Sequence, residues 1–174
     1  MALLRAVNLG GRNKVPMAEL RARLADAGFG EVRTYIASGN VLFTAAERDA
    51  AAVARRVERT VADAFDVTTT AVMRTFAEVR ALAEAHPFGD DTSRTYVTFL
   101  AEEPDAAAVA GLEELDLGRE RLHLAGRDAI LHLPDGVGGA QLTAATLEQR
   151  LGVAATNRNW RTVAKLAELA CSTT

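Results

Sequence analysis

The residues best equipped for chemistry sit close together near the start of the chain. Asn8, Gly10, Gly11, Arg12, Asn13 and Lys14 bring amides, glycines and cations between the apolar segment Ala2–Val7 and Pro16. A strand, a glycine-rich loop and a helix start in that order direct free N–H groups and the positive end of a helix dipole to one place, which suits an anion. Pro16 fits the first helical position, where its missing N–H costs nothing. Val15 is then the N-cap and has no side-chain oxygen to offer. The orphan donors of that turn are left to water, to Asn13 folding back, or to a ligand. The pattern speaks for binding something negative and names no reaction.

Two more clusters share this chemistry. Ser38-Gly39-Asn40 is a tight-turn signal between two β-rich runs. Thr156-Asn157-Arg158-Asn159-Trp160-Arg161-Thr162, with Lys165 beyond it, is the most basic short run of the chain. Thr156 is a plausible N-cap there. Trp160, Val163, Leu166, Ala167 and Ala170 fall on one helical stripe, so Trp160 reads as core. A solvated helix end is the plainer reading of Arg158 and Asn159.

The elements that position these clusters follow from periodicity. Ala2–Val7 reads as a strand, Met17, Leu20, Leu24 and Ala27 as a helix closed by Gly28. Val32–Ala37 and Val41–Thr44 read as strands, residues 47–65 as a helix with Val53, Val57, Val61 and Phe65 on one stripe, and Thr68–Arg74 as a strand. The order β-α-β-β-α-β is the ferredoxin-like unit. Right-handed crossovers give the strand order 4-1-3-2 and place the end of strand one beside the hairpin after strand two. Asn8–Lys14 and residues 38–40 are thereby expected at one sheet edge. They form a site or are simply well-made turns, since Gly and Asn tolerate positive φ. Arg5, on the strand face of Leu3 and Val7, must reach the polar edge or pair with a carboxylate.

The second half repeats the pattern. Helix Thr75–Ala85 ends at His86-Pro87-Phe88-Gly89, the candidate boundary between subdomains 1–74 and 75–174. A strand Arg94–Leu100, a helix from Pro104 to Leu115 and a hairpin of Glu120–Ala125 with Asp128–Leu133 follow. Closing that hairpin at Gly126-Arg127 sets Leu122 against Leu131 and Leu124 against Ala129, with Arg121, His123, Ile130 and His132 on the other face. Helices over 140–151 and about 157–170 complete the chain. The expected fold class is therefore α+β: two ferredoxin-like halves, the second incomplete for want of a fourth strand, with C-terminal helices. His123 and His132 share a face, but nothing completes a tetrahedral set, so no metal is predicted. The loop Pro134–Gly139 is glycine-rich yet lacks the Gly-Lys-Ser/Thr ending of a P-loop.

Composition sets outer limits. The 174 residues are 49% hydrophobic and 25% charged, as in ordinary globular chains. No run approaches the length of a membrane helix, and the immediate first strand leaves no room for a signal peptide. The single Cys171 forms no internal disulfide and fits a reducing cytoplasm. A net charge of −3 argues against bulk attraction to nucleic acid or anionic membranes, though not against a local basic patch. Arginine replaces lysine everywhere except Lys14 and Lys165.

The motifs Leu3-Leu4-Arg5-x-x-Asn8-x-Gly10-Gly11-x-Asn13-Lys14-Val15-x-Met17-x-x-Leu20, Tyr35-Ile36-x-Ser38-Gly39-Asn40-Val41 and Thr156-x-Arg158-Asn159-Trp160-x-Thr162-Val163-x-Lys165-Leu166 resemble those of the bacterial family called domain of unknown function 1697. Ala6 stands where that pattern has glycine and Ala37 where it has asparagine, and the chain starts a few residues late. The resemblance implies a two-part α+β protein with ferredoxin-like halves and no established activity. It strengthens the reading of the polar motifs, whose candidate ligand-binding residues are Arg5, Asn8, Gly10, Gly11, Arg12, Asn13, Lys14, Ser38, Gly39, Asn40, Arg158 and Asn159. The chemical likeness of the three segments leads us to expect Arg158 and Asn159 within side-chain reach of the 8–14 or 38–40 loops, as one composite site.

Three functions compete. The first is a binder of an anionic, phosphate-bearing or nucleotide-like ligand, with no cofactor of its own. The second is a cofactor-independent enzyme stabilising an anionic transition state with amide and arginine groups, though no Ser-His-Asp set, Cys-His pair or paired acid and base is visible. The third is a partner-binding or oligomerising module. Sequence-specific RNA reading has little support, because Val41–Thr44 lacks the aromatic signature and only Tyr35 offers a ring on the expected strands.

Overall fold

The computed structural model describes residues 1–89 and 92–171, and the chain divides into two compact units, Met1–Thr75 and Phe76–Thr174. In the first unit the order is β1 (Ala2–Leu4), α1 (Met17–Asp26), β2 (Gly30–Tyr35), β3 (Asn40–Thr44), α2 (Ala50–Phe65) and β4 (Ala71–Met73). The antiparallel sheet runs β2-β3-β1-β4, the ferredoxin-like order expected from handed crossovers. Strand β1 pairs with β3 at Ala2↔Val41 and with β4 at Leu3↔Val72. Leu20 and Leu24 of α1 and Val53, Val57 and Val61 of α2 pack on Ala2, Leu4, Val41 and Phe43. Asp49 accepts the Ala51 N–H at 2.9 Å and caps α2, as a short acidic side chain at that position does.

Two boundaries differ from the periodicity. Strand β1 stops at Leu4, because Ala6 (φ 55°) and Asn8 (φ 54°) adopt left-handed backbone that no strand continues. Val7 stays buried, but as a loop residue, so its apolar character mimicked one more strand position. Arg5 accordingly lies beyond the strand: its N–H donates to Thr70 O at 2.9 Å, and Thr69 Oγ1 donates to its carbonyl at 2.7 Å. Helix α1 begins one residue later than expected. Pro16 (φ −63°, ψ 120°) rather than Val15 is the N-cap, and its carbonyl accepts from Leu20 N–H.

In the second unit, α3 (Phe76–Glu84) precedes β5 (Thr95–Leu100), α4 (Ala106–Glu113), β6 (Arg121–Ala125), β7 (Asp128–His132), a 3₁₀ turn at Val137–Gly139, α5 (Ala144–Leu151), β8 (Ala155–Asn159) and α6 (Trp160–Cys171). The hairpin has the expected register, Leu122↔Leu131 and Leu124↔Ala129. The sheet runs β6-β7-β5-β8. Leu112 of α4 and Leu147 and Leu151 of α5 join Leu100, Ala129, Leu131 and Ala155 in one core.

The second half is therefore a complete β-α-β-β-α-β unit, which corrects the expectation of a missing fourth strand. Ala155–Asn159 pairs with β5 from Leu100↔Ala155 to Tyr96↔Asn159. Its sequence, Ala-Thr-Asn-Arg-Asn, has almost none of the apolar alternation that marks a strand, and Asn is depleted in strands generally. Tertiary pairing overrides propensity here: Asn157 Nδ2 donates to Thr98 Oγ1 at 3.0 Å on the neighbouring strand.

The cap of α6 moves with that strand. Thr156 lies inside β8, and Asn159 Oδ1 accepts the Thr162 N–H at 2.8 Å. That is the geometry of an N-cap side chain on the third helical amide. Asn159→Ala is expected to cost about 1 kcal/mol, read as a lowered midpoint in urea, with Asn159→Asp close to the parent. An alanine variant as stable as the parent rules out the cap.

Candidate functional site

The loop between β1 and α1 is rich in left-handed residues: Ala6, Asn8, Gly10 (54°), Gly11 (80°) and Asn13 (50°) all have positive φ. Glycine bears this conformation without strain, and asparagine tolerates it better than most residues. Arg12 N–H donates to Leu9 O at 2.9 Å, closing a tight turn over Gly10 and Gly11. Asn8 N–H donates to Asn13 O at 2.9 Å, so the loop forms a small closed ribbon.

The two asparagine side chains are committed to that ribbon. Asn13 Nδ2 donates to Ala6 O at 2.8 Å. Asn8 Oδ1 accepts Val15 N–H at 2.8 Å, and Asn8 Nδ2 donates to Val15 O at 3.0 Å and to Ala37 O at 2.8 Å. The last bond ties the ribbon to the β2–β3 turn, so the first two polar motifs do adjoin.

That turn is equally committed. Asn40 is fully buried, and its Nδ2 donates to Tyr35 O at 3.0 Å and Ser38 Oγ at 2.9 Å. Gly39 has φ 79°, its carbonyl accepts from Leu4 N–H at 2.8 Å, and a Cβ there would lie 2.6 Å from Val7 Cγ2 and 2.8 Å from Leu4 Cβ. Ser38, Gly39 and Asn40 thus lock the turn against β1. What remains presented to solvent is Gly10, Gly11, Arg12 and Lys14, all exposed, with Arg5 half-buried at the start of the segment. The first acidic residue of the chain is Glu19, which accepts from Arg23 at 3.3 Å. The ribbon's positive charge has no acid within its own segment.

The ribbon and the turn also expose apolar side chains that periodicity could not single out. Leu9 is 62% and Ile36 51% exposed. An isolated apolar residue at a turn leaves no periodic signal.

In the second unit, Arg158 is only 7% exposed, and its Nη1 donates to Thr156 Oγ1 at 2.8 Å and Asn157 O at 2.7 Å. Burial pushes the pKa of its guanidinium down to about 10, which leaves it charged at neutral pH. Asn159 serves as the helix cap described above. The same unit holds two histidines, His86 and His132, with a buried ring nitrogen each. His86 Nε2 lies 3.0 Å from Thr95 Oγ1, and its ring meets the buried Trp160 edge-on at 4.4 Å. The Nδ1 atoms of His86 and His132 are buried and lack hydrogen-bond partners among the described residues. An unpartnered lone pair is cheaper to bury than an unpartnered N–H, which favours the His86 tautomer protonated at Nε2, donating to Thr95. His123, which shares a strand face with His132, is exposed. Among the described residues no three His, Cys, Asp or Glu side chains are grouped to hold a metal, and no helix is long and apolar enough to cross a membrane.

Comparison with known proteins agrees with the fold. No curated protein matches the sequence. A solved structure of a conserved bacterial protein from Streptococcus pneumoniae is similar, with a TM-score of 0.69 at 24% identity, covering 98% of this chain and 96% of that one. At that identity the likeness shows a shared fold. Residues 1–129, which include both adjoining polar motifs, match the family described as "Protein of unknown function (DUF1697)", and the chain belongs to that family.

Proposed function

We propose that the chain binds an anionic, phosphate-bearing small molecule on the Gly10–Lys14 ribbon. The observation that carries this reading is the division of labour within the loop. Its amide side chains hold the backbone in place, while Gly10, Gly11, Arg12 and Lys14 face solvent without an acid in their segment. Turn amides held in left-handed conformation make anion-binding concavities, and a rigid loop binds without an ordering cost. Exposed Leu9 and Ile36 add apolar surface suited to the organic part of a nucleotide-like ligand. The reading includes no reaction.

Isothermal titration at low salt with pyrophosphate and with ATP tests it. Loss of two charge-assisted contacts in the Arg12→Ala/Lys14→Ala double variant is expected to weaken binding by roughly tenfold or more. Its thermal midpoint should stay at that of the parent, since both side chains are exposed. Equal heats for parent and double variant dismiss the ribbon as the site.

A further inference from the structure

Among the described residues three large apolar side chains are at least half exposed: Leu9, Ile36 and Val137. Apolar residues scattered singly on a surface need no explanation, whereas an apolar patch rimmed by polar groups marks a place of interaction. Leu9 belongs to the ribbon and Ile36 to the β2–β3 turn. The 2.8 Å bond from Asn8 Nδ2 to Ala37 O joins their immediate neighbours in the chain. Two of the three exposed side chains thus stand where the first unit gathers its polar motifs.

Neither side chain is placed where it stabilises the fold. Ile36 has φ 49°, a left-handed conformation in which a β-branched residue is an outlier. It leaves half of its side chain in water as well. Backbone strain of this kind gathers at ligand clamps and active sites. Leu9 lies between left-handed Asn8 and Gly10 and is 62% exposed.

Positive charge lies on the same face as Leu9. Leu9 and Arg12 are antiparallel partners across the Gly10-Gly11 turn, with Arg12 N–H donating to Leu9 O at 2.9 Å. Opposed residues of an antiparallel pair stand side by side on one face, so an aliphatic side chain and a guanidinium are presented together. A nucleobase would find little here. No aromatic residue occurs in 5–15 or 36–39 to stack on it, and Tyr35, the nearest ring in sequence, ends strand β2 and is only partly exposed. The amide side chains of Asn8 and Asn13, which could read a base edge, are bonded to the backbone.

We infer that the ligand of the ribbon is an aliphatic phosphate ester: Arg12 and Lys14 hold the phosphate, and Leu9 and Ile36 cover the first carbons of its chain. This rests on the ribbon reading and narrows the organic part of the ligand from nucleotide-like to aliphatic. Each methylene covered from water adds affinity, so binding at such a site rises with chain length.

Isothermal titration of the full chain at low salt with methyl phosphate, hexyl phosphate and AMP, three phosphomonoesters of like charge, tests it. Hexyl phosphate should bind roughly tenfold more tightly than either of the others. The Leu9→Ser/Ile36→Asn variant should bind methyl phosphate as the parent does and lose the hexyl advantage. Its thermal midpoint should be no lower than the parent's, since asparagine tolerates the left-handed conformation. Equal binding of methyl and hexyl phosphate, tighter binding of AMP, a hexyl advantage that survives in the variant, or a variant that melts lower each overturns the inference. The ribbon reading stands through all four provided methyl phosphate binds the parent and not Arg12→Ala/Lys14→Ala; if none of the three esters binds the parent, that reading has failed too. Vesicles separate the two sources of such an ester. Co-sedimentation with phosphatidic acid but not phosphatidylcholine places it in a bilayer, co-sedimentation with neither makes it a soluble molecule, and equal co-sedimentation with both overturns the role of the phosphate.

Discussion

Gly39→Ala is expected to destabilise the first unit by about 3 kcal/mol. Two independent penalties add. The new Cβ would sit 2.6 Å from Val7 Cγ2 and 2.8 Å from Leu4 Cβ, both in buried residues, and the φ of 79° disfavours any L side chain. The obstruction cannot be relieved by a flexible tip, because Leu4 Cβ is fixed to strand β1. Gly10→Ala is the matched control: its φ is 54°, but nothing lies within 4 Å of the added Cβ. Only the backbone penalty of about 1 kcal/mol then applies. Urea denaturation followed by circular dichroism reads both. If the two variants unfold at the same midpoint, the turn does not pack on β1 in this way.

Asn8→Ala is expected to cost about 2–3 kcal/mol, although the residue is only half-buried. Its side chain makes three hydrogen bonds, two to Val15 and one to Ala37 O, and its φ is 54°. Alanine tolerates that left-handed conformation less well than asparagine. Asn8→Asp keeps the acceptor for Val15 N–H and loses both donations, so it should fall between alanine and the parent. The Asn8 variants should shift the melting temperature strongly, whereas Arg12→Ala/Lys14→Ala should leave it unchanged. A double variant that melts as low as Asn8→Ala assigns the cations to the structural network as well.

Much of the architecture was legible because burial enforces periodicity. The stripe of Val53, Val57 and Val61 marks α2, and the alternation around Gly126-Arg127 sets the register of the β6–β7 hairpin. Strand β8 was illegible for the opposite reason: Thr156, Asn157, Arg158 and Asn159 satisfy their polar groups by hydrogen bonds and a ladder to β5, and no apolar period announces that. The polar motifs were legible as unusual residues, but their division of labour was not. Asn13 and Lys14 are adjacent and both exposed, yet one bonds back to Ala6 O while the other faces solvent. Only the left-handed backbone of the ribbon separates those roles, and φ is not written in composition.

The central claim, an anion held by the ribbon's amides and cations, is tested most directly by following backbone amide resonances of the ¹⁵N-labelled full chain during pyrophosphate titration. The backbone amides of Gly10, Gly11 and Lys14 should shift together with one dissociation constant. Val15, whose N–H is already given to Asn8 Oδ1, and Asn40, buried in its own turn, should move little. The same titration of Arg12→Ala/Lys14→Ala should leave Gly10 and Gly11 nearly still. Ribbon amides that stay in place in the parent while other residues shift contradict the account.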